Sequence, residues 1–316
     1  MHIAEPTLER FPKPLAAYIV ATRPAFILAT VMPIFLGLGY CVYVAHTINW
    51  LTAVLTLLAG IVLHAAINVL NDYYDSLNGT DDLNQERVFP FTGGSRFIQN
   101  EVLTRKQTFI YGIGLILAVI MIGSYLISQA GIPLFWLGLF GILLGWGYSA
   151  PLLNLNSRGL GEVSVLAGFG LLPLGTYLVQ TGALSWTLLL VSLPVGLLTA
   201  NLLYINQFPD RQADIQAHKL HWVARLSPHV ARWGYVLIAL LAWLTLPVLI
   251  VSGVLPVLAS ISALPVILSI KAARILLRHA ATPQQLAPAI ELTILAMLSH
   301  GALLTLALVM ASFVTI

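Results

Sequence analysis

Nine apolar stretches, each about as long as a bilayer is thick, succeed one another along this chain, and no other feature limits its fold as tightly. A hydrocarbon core about 30 Å thick takes roughly 20 apolar residues as helix. The stretches cover about 18–45, 51–75, 105–128, 132–152, 160–180, 185–207, 229–251, 254–277 and 288–314. Only 9% of the 316 residues are charged and 59% are hydrophobic, whereas soluble domains carry about a quarter charged residues. A soluble globular protein is excluded, and the expected fold class is an all-α polytopic membrane protein with nine transmembrane helices. Residues 1–17 carry Glu5, Glu9, Arg10 and Lys13 among three prolines. They lack the order of a cleaved signal peptide and are expected to be a short cytoplasmic lead-in.

Lysine and arginine are retained on the cytoplasmic side of a membrane, so their placement tests the count of spans. All 15 fall in the lead-in and first entry (Arg10, Lys13, Arg23) or in alternate connections. Those connections hold Arg87 to Lys106, Arg158, Arg211 to Arg232, and Lys271 to Arg278, while "AHTIN", "SQAGIP", "TGALS" and "VSGVLP" hold none. Nine spans with a cytoplasmic N-terminus make every basic residue cytoplasmic. The expected location is the inner (cytoplasmic) membrane, multi-pass, with any charged site facing the cytoplasm.

Two cytoplasmic connections, 76–104 and 208–228, carry most of the polar chemistry. At the end of span 2, Asn68, Asp72 and Asp75 stand at i, i+4 and i+7 with Asn71 beside them, so a continuing helix projects them from one face. At the end of span 6, Asn206, Asp210 and Asp214 stand at i, i+4 and i+8, with Pro209 expected to loosen or kink that turn. The two motifs lie four spans apart, which suggests two four-helix units plus a ninth helix, with both motifs facing one shared cavity.

Carboxylates converging on one pocket repel each other unless cations neutralise them. Carboxylate and amide oxygens with no cysteine nearby suit a hard ion such as Mg²⁺, which binds through a few carboxylates plus substrate phosphates. The expected substrate is therefore phosphorylated. Arg87, Arg96, Arg105 and Lys106 follow the first motif and Arg211, Lys219 and Arg225 the second, and such cations recognise phosphate. A diphosphate held this way leaves readily, because its developing charge is already balanced. The Gly-Gly pair of "FTGGSRF" (Phe91 to Phe97) gives backbone N–H groups a close approach to an anion.

These residues match a known pattern. "NDYYD" with a further aspartate at Asp81, "NQFPDRQAD" with Lys219 five residues on, and "GYSAPLLNLNSRGLGE" (Gly147 to Glu162) resemble the UbiA superfamily of intramembrane aromatic prenyltransferases. The third segment is similar to its 1,4-dihydroxy-2-naphthoate, or menaquinone-pathway, branch. The resemblance covers most of the chain and implies one domain over 1–316, nine helices around a central cavity, and Mg²⁺ as cofactor. It also implies two substrates, a polyprenyl diphosphate and an aromatic acceptor, in the lipid bilayer and with no nucleic acid. By position it makes Asn68, Asn71, Asp72 and Asp75 the first metal site, and Asn206, Asp210 and Asp214 the second. Arg87, Arg96 and Lys219 then bind diphosphate, while Tyr148 stabilises the allylic cation or orients the acceptor.

Two departures concern the acceptor. Many members acting on 4-hydroxybenzoate carry an aspartate where this chain has Gly79; here the acid is displaced to Asp81, as in the naphthoate branch. "NQFPD" has Pro209 where that branch often has arginine. The expected activity is prenyl transfer to 1,4-dihydroxy-2-naphthoate, with 4-hydroxybenzoate as the alternative acceptor. From another class, a divalent-cation transporter also uses repeats and acids. At about 1.5 Å per residue, however, Asn68 to Asp75 lie about 25 Å or more along the helix from Trp50, far from the midplane a transport site favours. Plainer readings cover other residues: His64 and His300 pack helices, with acceptor contact or proton removal as the alternative, Cys41 packs, His218, His221 and His229 fit no zinc spacing, and Glu162 either bonds a helix end or joins the acceptor site.

Overall fold

A computed structural model describes residues 4–314, so the first three residues of the lead-in and the last two of the chain lie outside it. Among the described residues every regular element is a helix. A short α1 (Pro14–Ala21) leads into α2 (Pro24–Ala45) and α3 (Trp50–Asn78). A single turn, α4 (Thr80–Leu83), precedes α5 (Arg105–Ala130), α6 (Ile132–Ser149), α7 (Gly161–Thr181) and α8 (Trp186–Gln216). After another single turn, α9 (Trp222–Arg225), come α10 (Pro228–Val251), α11 (Val266–His279) with the 3-10 segment Val257–Ala263 before it, and α12 (Ala287–Ser312). Among the described residues, nine of these are long and apolar enough to cross a membrane, with Val257–His279 counted as one. That agrees with the number of apolar stretches.

Three boundaries differ from expectation, each for a local reason. The first stretch is broken into α1 and α2 at Arg23, whose φ is 55°; the proline after it disfavours a helical backbone at Arg23, and Pro24 then starts α2, where its missing N–H is no loss. The connection expected from 208 begins only after Gln216, because α8 continues for two more turns. Pro209 lies inside that helix and does not end it. Phe208, Pro209 and Asp214 are buried there, and neighbouring helices restore what a proline removes from the ladder. The other connection starts at Gly79, whose φ of 78° closes α3 before α4 begins.

Small residues let the helices meet closely, as lipid-embedded packing requires. A Cβ on Gly37 of α2 would stand 2.8 Å from the Pro173 carbonyl oxygen of α7, and one on Gly39 would stand 2.9 Å from the Thr305 side chain of α12. Thus α2 is clamped on both sides. Helix α8 is the most enclosed of the nine, and α5 and α6 the least. Cys41 is fully buried, in keeping with its packing role. Helices α2, α3, α6, α7 and α8 wall a central cavity of about 350 Å³, closed at one end by α4, the Phe91 to Gly94 loop and the segment through His221.

Candidate functional site

Both aspartate motifs sit on the last turns of long helices and reach the same end of that cavity. On α3, Asp75 Oδ1 lies 2.8 Å from Lys219 Nζ, while its Oδ2 accepts from Asn71 Nδ2 at 3.2 Å. The Asn71 amide also donates to Ser149 Oγ at 2.7 Å, and Asn68 donates to the Thr22 carbonyl at 2.9 Å. On α8, Asp210 Oδ1 accepts from Asn84 Nδ2 at 2.6 Å. Asp214 Oδ1 lies 3.7 Å from Lys219 Nζ and its Oδ2 lies 2.9 Å from His221 Nε2. Lys219 therefore bridges the motifs, one carboxylate from each.

Part of the negative charge is balanced inside the protein. Burial alone would lower the Lys219 ammonium, but Asp75 and Asp214 overcome it and hold the group above the ordinary lysine value. Arg23 pairs with Asp72. Asp81, on α4, is 3% exposed; burial first, then the Asp75 and Asp72 carboxylates, hold it well above the usual carboxylate range. Of the glycine pair, Gly94 approaches an anion, though it is the protein's own, while Gly93 packs against the Arg87 side chain. A Cβ on Gly94 would stand 2.5 Å from Asp81 Oδ2, and the next residue, Ser95, donates its backbone N–H to Asp72 Oδ1 at 3.2 Å.

Of the residues expected from sequence, Asn68, Asn71, Asp75, Tyr148, Asn206, Asp210, Asp214 and Lys219 all line the cavity. Asp72 is 4% exposed and engaged by Arg23 and Ser95; of these, Arg23 is on the cavity wall. Arg87 and Arg96 are not on that wall. Arg87 Nε donates to Glu5 Oε1 at 2.7 Å, Arg96 lies 3.8 Å from Glu5 Oε2, and their remaining contacts are the carbonyls of Asn84 and Asp81. Both arginines fasten the loop to the N-terminal segment.

Three site residues escaped the sequence reading: Arg23, Asn84 and His221. Arg23 carried one signal, a lone cation inside the first apolar stretch. His64, read as a packing residue, bonds Thr30 Oγ1 at 2.6 Å and meets Phe169 edge-on, yet it also lines the cavity. His300 is fully buried with Nδ1 2.8 Å from the Ser262 carbonyl, a packing role. Glu162 accepts from Gln207 at 2.7 Å, a residue inside α8 rather than at its end.

The donor set suits a hard cation. Among the described residues no three carboxylate or histidine groups converge closely enough to hold a metal alone, because Arg23 and Lys219 stand between them. The remaining ligand atoms are oxygens: Asp81 Oδ2, Asn84 Oδ1 and Asn206 Oδ1 are buried without a hydrogen-bond partner. Unsatisfied buried oxygens are costly and call for a cation or water, and oxygen-only sets fit Mg²⁺ better than softer metals. Away from this polar end, Leu63, Ile67, Leu144, Phe169 and Leu172 make the cavity apolar. A charged head and a hydrocarbon tail are thus both accommodated.

A nine-span bundle with paired aspartate motifs at one end of a half-apolar cavity defines a class of intramembrane protein with a buried polar site. The sequence model of the UbiA prenyltransferase family matches residues 30–295, and the chain belongs to that family; it is a prenyltransferase and a multi-pass integral membrane protein. It is 32% identical over 219 residues to a 1,4-dihydroxy-2-naphthoate octaprenyltransferase of Haemophilus influenzae, covering 66% of this chain and 69% of the relative. To a protein of that name from Mycobacterium leprae it is 29% identical over 226 residues, covering 70% and 72%. A UbiA homolog from Archaeoglobus fulgidus, solved bound to DMAPP and Mg²⁺, shares the fold with a TM-score of 0.63 at 14% identity, over 91% of this chain and 98% of that one. Membership decides for the enzyme over the cation transporter.

Proposed function

We propose that this enzyme transfers a polyprenyl group from polyprenyl diphosphate to 1,4-dihydroxy-2-naphthoate, in a Mg²⁺-dependent step of menaquinone biosynthesis. The observation that carries the reading is the convergence of both aspartate motifs, with Lys219 between them, on the polar end of one cavity. The names of the relatives support the naphthoate acceptor. In this reading Asp75, Asp210 and Asp214, with Asn68, Asn71 and Asn206, hold the cation, and Asp72 joins them once Arg23 turns to the diphosphate. Mg²⁺ would neutralise the negative charge that grows on diphosphate as the carbon–oxygen bond breaks.

The chain's own residues supply the rest. Lys219 and Arg23 add positive charge beside the leaving diphosphate, with Arg87 and Arg96 within the same loop system for its entry. The allylic cation left behind is shielded by the apolar wall and faces Tyr148, whose ring stabilises positive charge. The electron-rich acceptor ring attacks that carbon, a carbon–carbon bond forms, and the ring then loses a proton to regain aromaticity. The whole chain acts as one domain in the inner membrane, with the N-terminus and the site on the cytoplasmic side, as the one-sided placement of lysine and arginine supports.

Membranes carrying the protein, supplied with Mg²⁺, labelled polyprenyl diphosphates and a panel of aromatic acids, are expected to prenylate dihydroxynaphthoate. Asp72→Ala and Asp210→Ala are each expected to lower the rate about 10²-fold or more. Full activity in both variants would remove the site from the mechanism, and product from 4-hydroxybenzoate alone would change the acceptor.

A further inference from the structure

The second connection returns to the cavity through a tight turn. After α8, His218 takes a left-handed backbone with φ of 57°, and the Lys219 backbone N–H donates to the Asp214 carbonyl at 2.7 Å. This brings residues 219 to 221 back against Asp214. The segment is fastened from outside as well: Arg211 Nε donates to the Val223 carbonyl at 2.9 Å, and Trp222 Nε1 donates to the Gly159 carbonyl at 2.9 Å. His221 thus stands on rigid backbone, with its side chain 5% exposed.

The two ring nitrogens of His221 have different partners, which fixes the tautomer. The Ala224 backbone N–H donates to Nδ1 at 3.2 Å, capping α9. Nδ1 is an acceptor, so Nε2 carries the hydrogen and donates to Asp214 Oδ2 at 2.9 Å. The other oxygen, Oδ1, is the one turned toward Lys219. A carboxylate without this tether rotates about its last bond and pairs with Lys219 through either oxygen. With it, one oxygen is presented in one direction.

We propose that His221 is a positioning residue for the second aspartate motif: its Nε2–H pins Asp214 Oδ2 and thereby sets how Oδ1 meets the cation of the metal diphosphate. The inference rests on the proposed role of Asp214. Hydrogen-bond partners that orient a metal-binding side chain change affinity by about 10–100-fold when removed. His221 also caps a helix, so the test has to separate the two duties. Asn places an acceptor where Nδ1 stands and keeps the cap, while losing the bond to Asp214. Gln places an N–H donor where Nε2 stands and keeps that bond, while losing the cap.

The probe is Mn²⁺ binding to the purified protein in detergent, read by electron paramagnetic resonance with a thiolodiphosphate analogue of the prenyl substrate that does not ionise. Melting temperature is recorded in parallel. His221→Asn is expected to melt like the unsubstituted protein and to bind Mn²⁺ about 10–100-fold more weakly. His221→Gln is expected to melt lower and to keep its Mn²⁺ affinity. Unchanged affinity in His221→Asn, or equal losses in both variants, overturns the positioning role. Asp214→Asn distinguishes the two levels of the argument. Unchanged affinity there overturns the metal role of Asp214 itself, whereas a loss there beside an unaffected His221→Asn overturns only the tether.

Discussion

Lys219 joins the two motifs, its ammonium lying 2.8 Å from Asp75 Oδ1 and 3.7 Å from Asp214 Oδ1. The i, i+3 spacing of Asp72 and Asp75 and the i, i+4 spacing of Asp210 and Asp214 survive in any helix, so their shared faces follow from sequence alone. That one ammonium lies between Asp75 and Asp214, or that Arg23 reaches Asp72, depends on which helices become neighbours. Charge alone pointed to Arg87 and Arg96, but an exposed-looking glutamate in the lead-in, Glu5, takes both. Removing Lys219 leaves two buried carboxylates without their partner, and breaking a buried pair from one side costs about 3–5 kcal/mol. Lys219→Met is therefore expected to melt well below the unsubstituted protein in chelator-treated detergent and to lose prenyl transfer. A variant that melts and turns over normally would show that the two aspartates are neutralised by other means.

At the scale of elements, hydropathy located the nine spans and misplaced their polar ends. It measures preference for lipid, so it stops where carboxylates begin. In α3 and α8 those carboxylates face a protein cavity, and the helices run on through them to Asn78 and Gln216. The N-terminal segment was undervalued for a similar reason. Ala17 and Ala21 of α1 pack with Phe97 and Leu103, while Glu5 binds Arg87 and Asn100 of the same loop. The segment is a strap across the connection that carries Gly94 and Ser95. Glu5→Gln removes the charge that gathers both arginines, and the expected result is faster tryptic cleavage after Arg96, which is 8% exposed with the strap in place. Fragment sizes followed over time by gel test this; cleavage no faster than in the unsubstituted protein would place the strap's hold in the apolar contacts of α1 instead.

Across the whole molecule, one cavity has to serve a charged head at the loop end and a hydrocarbon tail among the helices, and the two ends are built from different kinds of residue. The polar end is crowded with hydrogen bonds, so substitutions there change chemistry and stability together. The apolar end contains a position where space alone changes. Gly141 of α6 lines the cavity, and a Cβ built on it meets nothing within 4 Å, unlike Gly145 one turn on, where a Cβ would collide with Ile67 Cδ1. A side chain at 141 therefore enters open space without displacing a neighbour. It also stands in a helix interior, where replacing glycine lowers the conformational cost of folding by up to about 1 kcal/mol. Gly141→Leu is expected to keep or raise the melting temperature while narrowing the room for the tail, so that the ratio of kcat/KM for long over short prenyl diphosphates falls. Each methylene excluded from an apolar site is worth about 0.8 kcal/mol, so a lost contact with two or three of them shifts that ratio by roughly tenfold or more. An unchanged ratio in a stably folded Gly141→Leu protein would place the tail along a different wall, and Gly168, also on the lining but with Leu144 3.7 Å from its Cβ position, is the substitution that then separates α7 from α6.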